Sequence, residues 1–401
     1  MIGKLKALLT AGVQDVFGGR LVRDHLDRAS ISLSTGQIVD GLPARMADGL
    51  VAQGVDPDGN FLASRGFKIY RSSPSHDRFE FYCQLPCPIG SGQLLRFPTL
   101  REAIGKRDIV QTFFTASGAI IVQSGGALFR RPADSTNFAK VFSLRHWGRA
   151  GRGILFHGIA QSSHGRLFVG EYFNNEQRQN SICIFASDDD GATWFVLHEF
   201  PPGRFRHIHA IQQDPFENAI WMCTGDSDAE SQLLKSSDNG ETFEVVGTGS
   251  QSWRTCTLLF EQEYVYWGAD TERGVDCRNL YQYHRADKRL DKLEPIDGAI
   301  EFAIALDPEL QLYATTRVGY GETPDPEASL LLKKPGADLV RIKLNSRINS
   351  TVGVPSGTKM YRSETSGAVC LSFTNLVGLD GKIGIVSSDT FQNRVNNRTT
   401  S

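Results

Sequence analysis

Short apolar runs, each closed off by Gly, Asp, Ser or Pro, recur along the chain: Phe61–Arg65, Ile120–Gln123, Leu167–Glu171, Ile220–Thr224, Tyr264–Gly268, Leu312–Arg317 and Val369–Phe373. Runs this short, rich in β-branched and aromatic residues, read as strands and not as helices. Their starts lie roughly 45 to 60 residues apart, the length of one four-stranded propeller blade. Each follows another strand-like run, beginning near Asp48, Val110, Phe156, His207, Arg254, Phe302 and Lys359. Turn formers join the two runs, among them Asp56-Pro57-Asp58-Gly59, Ser163-His164-Gly165, Asp214-Pro215 and Asp307-Pro308, in which Pro and Gly preset the turn dihedrals. The pattern predicts an all-β fold, a single β-propeller with seven four-stranded antiparallel blades; six blades is the alternative count. The last unit ends near Ser388 with little chain left for a fourth strand. A strand around Ile31 to Val39 is therefore expected to complete it and close the ring, removing free sheet edges. On this reading residues 1–30 form a partly helical N-terminal extension, 31–392 the propeller, and 393–401 a polar, flexible tail.

Composition agrees with this and narrows the partners. The chain has 401 residues, 40% hydrophobic and 22% charged, with 40 glycines, which suits many short strands and turns. A formal net charge of -2 gives no global field toward nucleic acid, so binding of an acidic ligand has to be local. No run approaches the length of a membrane span. The N-terminus has two lysines and a short, interrupted apolar stretch without a small-residue cleavage site, which favours cytoplasmic residence over secretion. The 7 cysteines are scattered, several within apolar runs, and read as small buried hydrophobes in a reduced chain. The sequence leaves the oligomeric state open.

One motif is repeated almost exactly. Ser187-Asp188-Asp189-Asp190-Gly191-Ala192-Thr193-Trp194 recurs about 50 residues on as Ser236-Ser237-Asp238-Asn239-Gly240-Glu241-Thr242-Phe243, a spacing of one blade. Both copies sit between two strand-like runs, so they read as hairpin corners in which Asp and Gly supply the turn and the aromatic tucks between strands. The shared pattern S-x-D-x-G-x-T-(W/F) resembles the Asp-box, or bacterial neuraminidase repeat, of the sialidase superfamily of β-propellers. Ser72 to Phe79 and Asp134 to Phe138 extend it as degenerate corners. The resemblance implies a structural role for Ser187, Asp189, Gly191, Trp194, Ser236, Asp238, Gly240 and Phe243, on the face away from an active site. Sialidases also carry an Arg-Ile-Pro segment and three carboxylate-gripping arginines; no such segment occurs in this sequence.

If the corners lie on one face, the loops entering the innermost strands and leaving the second strands lie on the other. Those loops collect Arg206, His207 and His209, Trp253 and Arg254, Glu171 and Tyr172, Asp270, Arg317 and Tyr320, with His157 nearby. His207, Asp270, Glu171 and Tyr172 are candidates for proton transfer or nucleophilic attack, and Arg254 for charge neutralisation in the same reaction. His157, Arg206, His209, Trp253, Arg317 and Tyr320 are candidates for substrate binding, the aromatics by stacking on sugar faces. Each has a plainer reading as a core histidine, a blade-to-blade ion pair or a packed aromatic. Asp226, Asp228 and Glu230 read as a solvated acidic loop. The three histidines lack the close third-ligand spacing of a zinc site, so neither a metal nor another cofactor is expected.

Two function classes follow. One is an enzyme cleaving glycosidic bonds in an acidic oligo- or polysaccharide, as a sialidase-like hydrolase or as a lyase in which His or Tyr removes a proton beside an arginine-neutralised carboxylate. The other is a non-catalytic propeller binding a glycan or a protein on the same rim.

Overall fold

The computed structural model describes residues 30–39, 41–86, 109–147, 153–271, 277–316, 328–345 and 356–399. Seven antiparallel sheets follow one another along the chain. The first blade comprises Val51–Val55, Phe61–Arg65, Lys68–Ser72 and Arg78–Gln84, and the second Ile109–Phe114, Ile120–Ser124, Ala127–Arg131 and Ala139–Ser143. The third comprises Ile159–Gln161, Leu167–Gly170, Ile182–Ser187 and Phe195–Phe200, and the fourth His207–Asp214, Ala219–Gly225, Gln232–Ser236 and Glu244–Thr248. Leu259–Phe260, Tyr264–Gly268, Asn279–His284 and Leu290–Pro295 form the fifth, and Ala299–Asp307, Leu310–Thr316, Ala328–Lys333 and Val340–Leu344 the sixth. Second strands are buried along their whole length in the third, fourth and sixth blades. Fourth strands of the second to fifth blades have no buried residue and form the wet outer edge of their sheets.

The seventh blade closes the ring with chain from both ends. Gly357–Arg362, Ala368–Thr374 and Lys382–Ser387 take their fourth strand from Pro43–Asp48, with Arg45 opposite Ile385 and Asp48 opposite Lys382. Ser34–Gln37 adds a fifth strand outside it, and Ile31–Ser32 pairs with the first blade. The closing strand thus lies later than the expected Ile31 to Val39. Residues near Asp48, Phe156 and Arg254 end a strand or lead into one instead of starting one. The C-terminal segment is a helix, Ser388–Thr399, and not a free tail from Asn393. Its Phe391 and Val395 are buried against the sixth and seventh blades, which anchors it. Most of the N-terminal extension, residues 1–29, lies outside the described residues. No described helix is long and apolar enough to cross a membrane, and all six described cysteines are free thiols.

Packing between neighbouring blades holds the ring. Phe168, Ile182 and Ile184 of the third blade meet Ile208, Ile220 and Met222 of the fourth, while Trp221 of the fourth packs with Trp267 and Tyr281 of the fifth. The two repeated corners share one hydrogen-bond pattern. Ser187 Oγ donates to Asp189, Gly191 N–H donates to Ser187 Oγ, and Thr193 donates to Asp189 through both its N–H and its hydroxyl. Ser236, Asp238, Gly240 and Thr242 repeat every one of these bonds. Gly191 and Gly240 have φ of 83° and 85°, and a Cβ there would lie 2.6 Å from Ile121 and 2.4 Å from Phe168. Glycine is required at both positions. Trp194 and Phe243 pack against the inter-blade cores. These corners join third to fourth strands and so lie at the same end of the blades as the turns joining first to second strands.

The Thr242 hydroxyl and N–H and the Ser236 hydroxyl hold the Asp238 carboxyl down at about 2, against its ordinary 3.8. Its stabilising contribution is therefore fully present above the ordinary value and lost as pH falls through the folded one. Asp189→Ala and Asp238→Ala are each expected to cost on the order of 1–2 kcal/mol at neutral pH. In urea melts the Asp238→Ala deficit should shrink as pH is taken toward about 2; a deficit independent of pH contradicts the assigned bonds.

Candidate functional site

Loops at the other end of the third, fourth and fifth blades bring a charged cluster together. The innermost strand of the fourth blade starts at His207, opposite Gly225, and carries a bulge between Ile208 and Ala210 in which His209 is the extra residue. Bulges re-aim side chains, and this one turns His209 back onto His207, so that their Nε2 atoms are 3.0 Å apart. His207 Nδ1 donates to the carbonyl of Phe173 at 3.0 Å, and the ring of Tyr172 stacks on His207 with centroids 4.0 Å apart. Both imidazoles are buried. Burial lowers His207 to about 4 against the pull of Asp226, and burial together with the neighbouring His207 and Arg254 lowers His209 further. Both are neutral at physiological pH.

Asp226 stands where the second strand of the fourth blade ends. Arg206 Nη1 reaches one of its oxygens at 2.8 Å and Arg254 Nη2 the other at 3.0 Å. Its carboxylate lies 3.6 Å from His207 Nε2 and 3.8 Å from His209 Nε2. Burial alone would raise this carboxyl; the two histidines and two arginines hold it well below the ordinary range. Arg254 also approaches Asp270 at 3.3 Å, and its backbone carbonyl accepts the Asp270 N–H at 2.9 Å. Asp270 behaves oppositely. Burial raises it to about 6 despite Arg254, with Glu301 adding to the rise. Two carboxyl groups on one guanidinium thus hold different proton affinities.

Six of the residues singled out in the sequence meet here: Tyr172, Arg206, His207, His209, Arg254 and Asp270. The others do not. Glu171 points away from the cluster, its carboxylate bound by the fork of Arg145, with Nε at 2.9 Å, and by the Cys183 N–H at 2.8 Å, an ion pair within the third-blade region. Trp253 packs on Trp267, with centroids 5.7 Å apart, against the core between the fourth and fifth blades, and not toward a sugar. His157 lies toward the ring's centre, its ring 5.0 Å from Phe302 of the sixth blade, and burial lowers it to about 4. Arg317 and Tyr320 lie outside the described residues. In the acidic loop, Glu230 is taken up by Arg178 at 2.7 Å and Asp228 accepts from Gln251 at 2.9 Å, while Asp226, expected to be solvated with them, is the centre of the cluster. A signal for it existed in the register: the residue after Gly225 sits at the mouth of the strand that pairs with His207.

A separate cavity of about 690 Å³ opens at the turn end of the innermost strands, lined among others by Gln111, Ser162, Gln213, Phe156 and His157. No residue of the charged cluster lines it.

Close approach at the cluster requires Gly225. A Cβ at that position would lie 2.8 Å from His209 Cε1 and 2.9 Å from Arg254 Cγ. Gly225→Ala is expected to cost about 1–3 kcal/mol and to displace Arg254, weakening any ligand held there. Thermal melts and ligand titration of the variant check this; an unchanged melt with unchanged binding contradicts the packing described.

No protein-family model matches the sequence, and no curated protein is similar to it. Among solved structures, an oligogalacturonate lyase in complex with manganese superposes with a TM-score of 0.57 at 10% identity, over 90% of this chain and 99% of that one. An oligogalacturonate lyase from Vibrio parahaemolyticus gives 0.57 at 10%, over 89% and 98%. The GH74 xyloglucanase from Xanthomonas campestris gives 0.54 at 16%, over 83% of this chain and 52% of that chain. At these identities the likeness is one of fold: this chain is a seven-bladed β-propeller.

Proposed function

We propose that the protein is a carbohydrate-active enzyme that cleaves an acidic, uronate-bearing oligo- or polysaccharide by β-elimination at the cluster around Asp226. The observation that carries this reading is the pairing of two guanidinium groups, Arg206 and Arg254, with a neutral imidazole, His207, stacked under Tyr172. Elimination needs a cationic fork to neutralise the substrate carboxylate and a neutral base to take the adjacent proton. Fold neighbours that include two oligogalacturonate lyases and a xyloglucanase support a saccharide substrate. The repeated Ser-x-Asp-x-Gly-x-Thr corners support a sialidase-like origin for the scaffold, with the chemistry on the opposite face.

Hydrolysis is the second reading, and the opposed shifts of Asp226 and Asp270 favour it: a protonated Asp270 would serve the leaving oxygen and an ionised Asp226 the sugar or a water. Incubating the protein with polygalacturonate, alginate and hyaluronan, with xyloglucan as a neutral comparison, and following both reducing ends and the ultraviolet absorbance of unsaturated uronate separates the readings. Both signals on a polyuronate are expected. Reducing ends without absorbance point to hydrolysis, and binding without either signal to a non-catalytic glycan-binding propeller. Arg254→Lys keeps a charge but loses the planar fork; it is expected to lower kcat/KM by about 100-fold or more while the protein still melts cooperatively.

A further inference from the structure

His207, His209 and Asp226 also present a donor set for a cation, which would take up the same His207 Nε2 lone pair that the elimination reading uses as its base. The two Nε2 atoms and a carboxylate oxygen of Asp226 all lie within 4.8 Å of one another, with the nitrogens 3.0 Å apart. Neighbouring ligands on one cation with bonds of about 2.1 Å sit roughly 3.0–3.4 Å apart; the two nitrogens meet this, while the Asp226 carboxylate, 3.6 Å from His207 Nε2 and 3.8 Å from His209 Nε2, would have to close in by a few tenths of an ångström on binding. We propose that His207 Nε2, His209 Nε2 and one oxygen of Asp226 form a three-ligand site for a first-row divalent cation such as Mn²⁺, Co²⁺ or Zn²⁺, with its remaining coordination positions toward the rim.

Proton placement supports the site. His207 Nδ1 faces the Phe173 carbonyl, an acceptor, so this nitrogen carries the hydrogen and Nε2 is bare. His209 Nδ1 is buried without a well-formed hydrogen bond, and the groups in front of it include the Asp270 carboxyl at 3.5 Å and the Thr255 carbonyl. With Asp270 ionised these too are acceptors, and they favour the hydrogen on Nδ1. Two imidazole lone pairs then face each other at 3.0 Å, an arrangement that repels unless a cation lies between them. A backbone carbonyl and a carboxylate behind ligating imidazoles are the usual outer partners of such sites. The arginines are compatible with this. A carboxylate offers about four lone-pair directions, and Arg206 and Arg254 each take one, which orients the ligand and leaves an oxygen lone pair for the ion. Mixed nitrogen and oxygen donors with open positions suit these metals over calcium or magnesium.

A second grouping, His209 with Cys256 and Asp270, shares the imidazole. All three of its residues are buried. Asp226 is the more open residue, with 17% of its side chain accessible, and gives an entry path.

The inference goes beyond the saccharide reading and is tested without any substrate. The full chain, stripped with EDTA, is titrated with Co²⁺ and followed by visible absorption, and with Mn²⁺ followed by loss of the free-ion paramagnetic resonance signal. One equivalent of each is expected to bind, with visible cobalt bands of nitrogen and oxygen coordination. His209→Gln and Asp226→Asn should each weaken binding by about tenfold or more while melting cooperatively, and Cys256→Ser should leave the cobalt spectrum unchanged. Failure of either metal to bind stoichiometrically overturns the proposal, as does binding indifferent to both ligand variants. A sulfur-to-cobalt charge-transfer band lost in Cys256→Ser also overturns it, since the ion would then sit in the second grouping. Because the readout is metal occupancy, a negative result leaves the saccharide assays to stand or fall separately.

Discussion

A carboxylate held between two guanidinium groups organises the charged end of the ring. Arg206 arrives from the loop entering the fourth blade, Arg254 from the loop entering the fifth, and Asp226 closes the second strand between them. Removing one partner of such an arrangement leaves buried charge uncompensated, which is why these interactions fix geometry more than they add net stability. Here that geometry sets everything nearby. It places Asp226 beside two neutral imidazoles, tethers Arg254 to Asp270, and leaves the Tyr172 ring lying over His207.

The propeller makes this convergence possible and also keeps it apart from the elements that stabilise the ring. Its seventh blade is completed by Pro43–Asp48, so each sheet has a neighbour on both sides and the inter-blade cores run unbroken. The serine and aspartate corners secure the opposite end, where Asp190 is gripped by Arg130 of the second blade at 2.7 Å and Arg166 pairs with Asp188 at 2.6 Å. The bonded corners and the charged cluster therefore lie at different ends of the same strands. Loops on the functional end are free to hold charge because the corners and cores do not depend on them.

Much of the fold was legible because its determinants are local. Turn residues and short apolar runs repeat at one blade length, and the repeated corners name their own hydrogen bonds. What was misjudged depended on contacts distant in sequence. The fourth strand of the last blade lies at Pro43–Asp48 because pairing with Lys382–Ser387, not local propensity, selects it. The C-terminal helix is ordered by burying Phe391 and Val395, two apolar residues in an otherwise polar stretch. At the site, arginine and histidine candidates were found because their loops share an end of the ring, whereas Glu171 was lost to Arg145, a partner 26 residues away. Asp226 was hidden by its acidic neighbours: composition gave three equivalent carboxylates, and only the third dimension assigns one to the arginines and another to Arg178.

On the proposed function an acidic sugar is held at the arginines of Asp226 and not in the cavity at the other end of the ring. A crystal structure of an inactive variant soaked with a short oligogalacturonate tests it most directly. The account predicts a sugar carboxylate within hydrogen-bonding distance of Arg206 or Arg254, with a ring carbon toward His207. A sugar seated instead beside Gln111, Ser162 and Gln213, with the charged cluster bare, would contradict it.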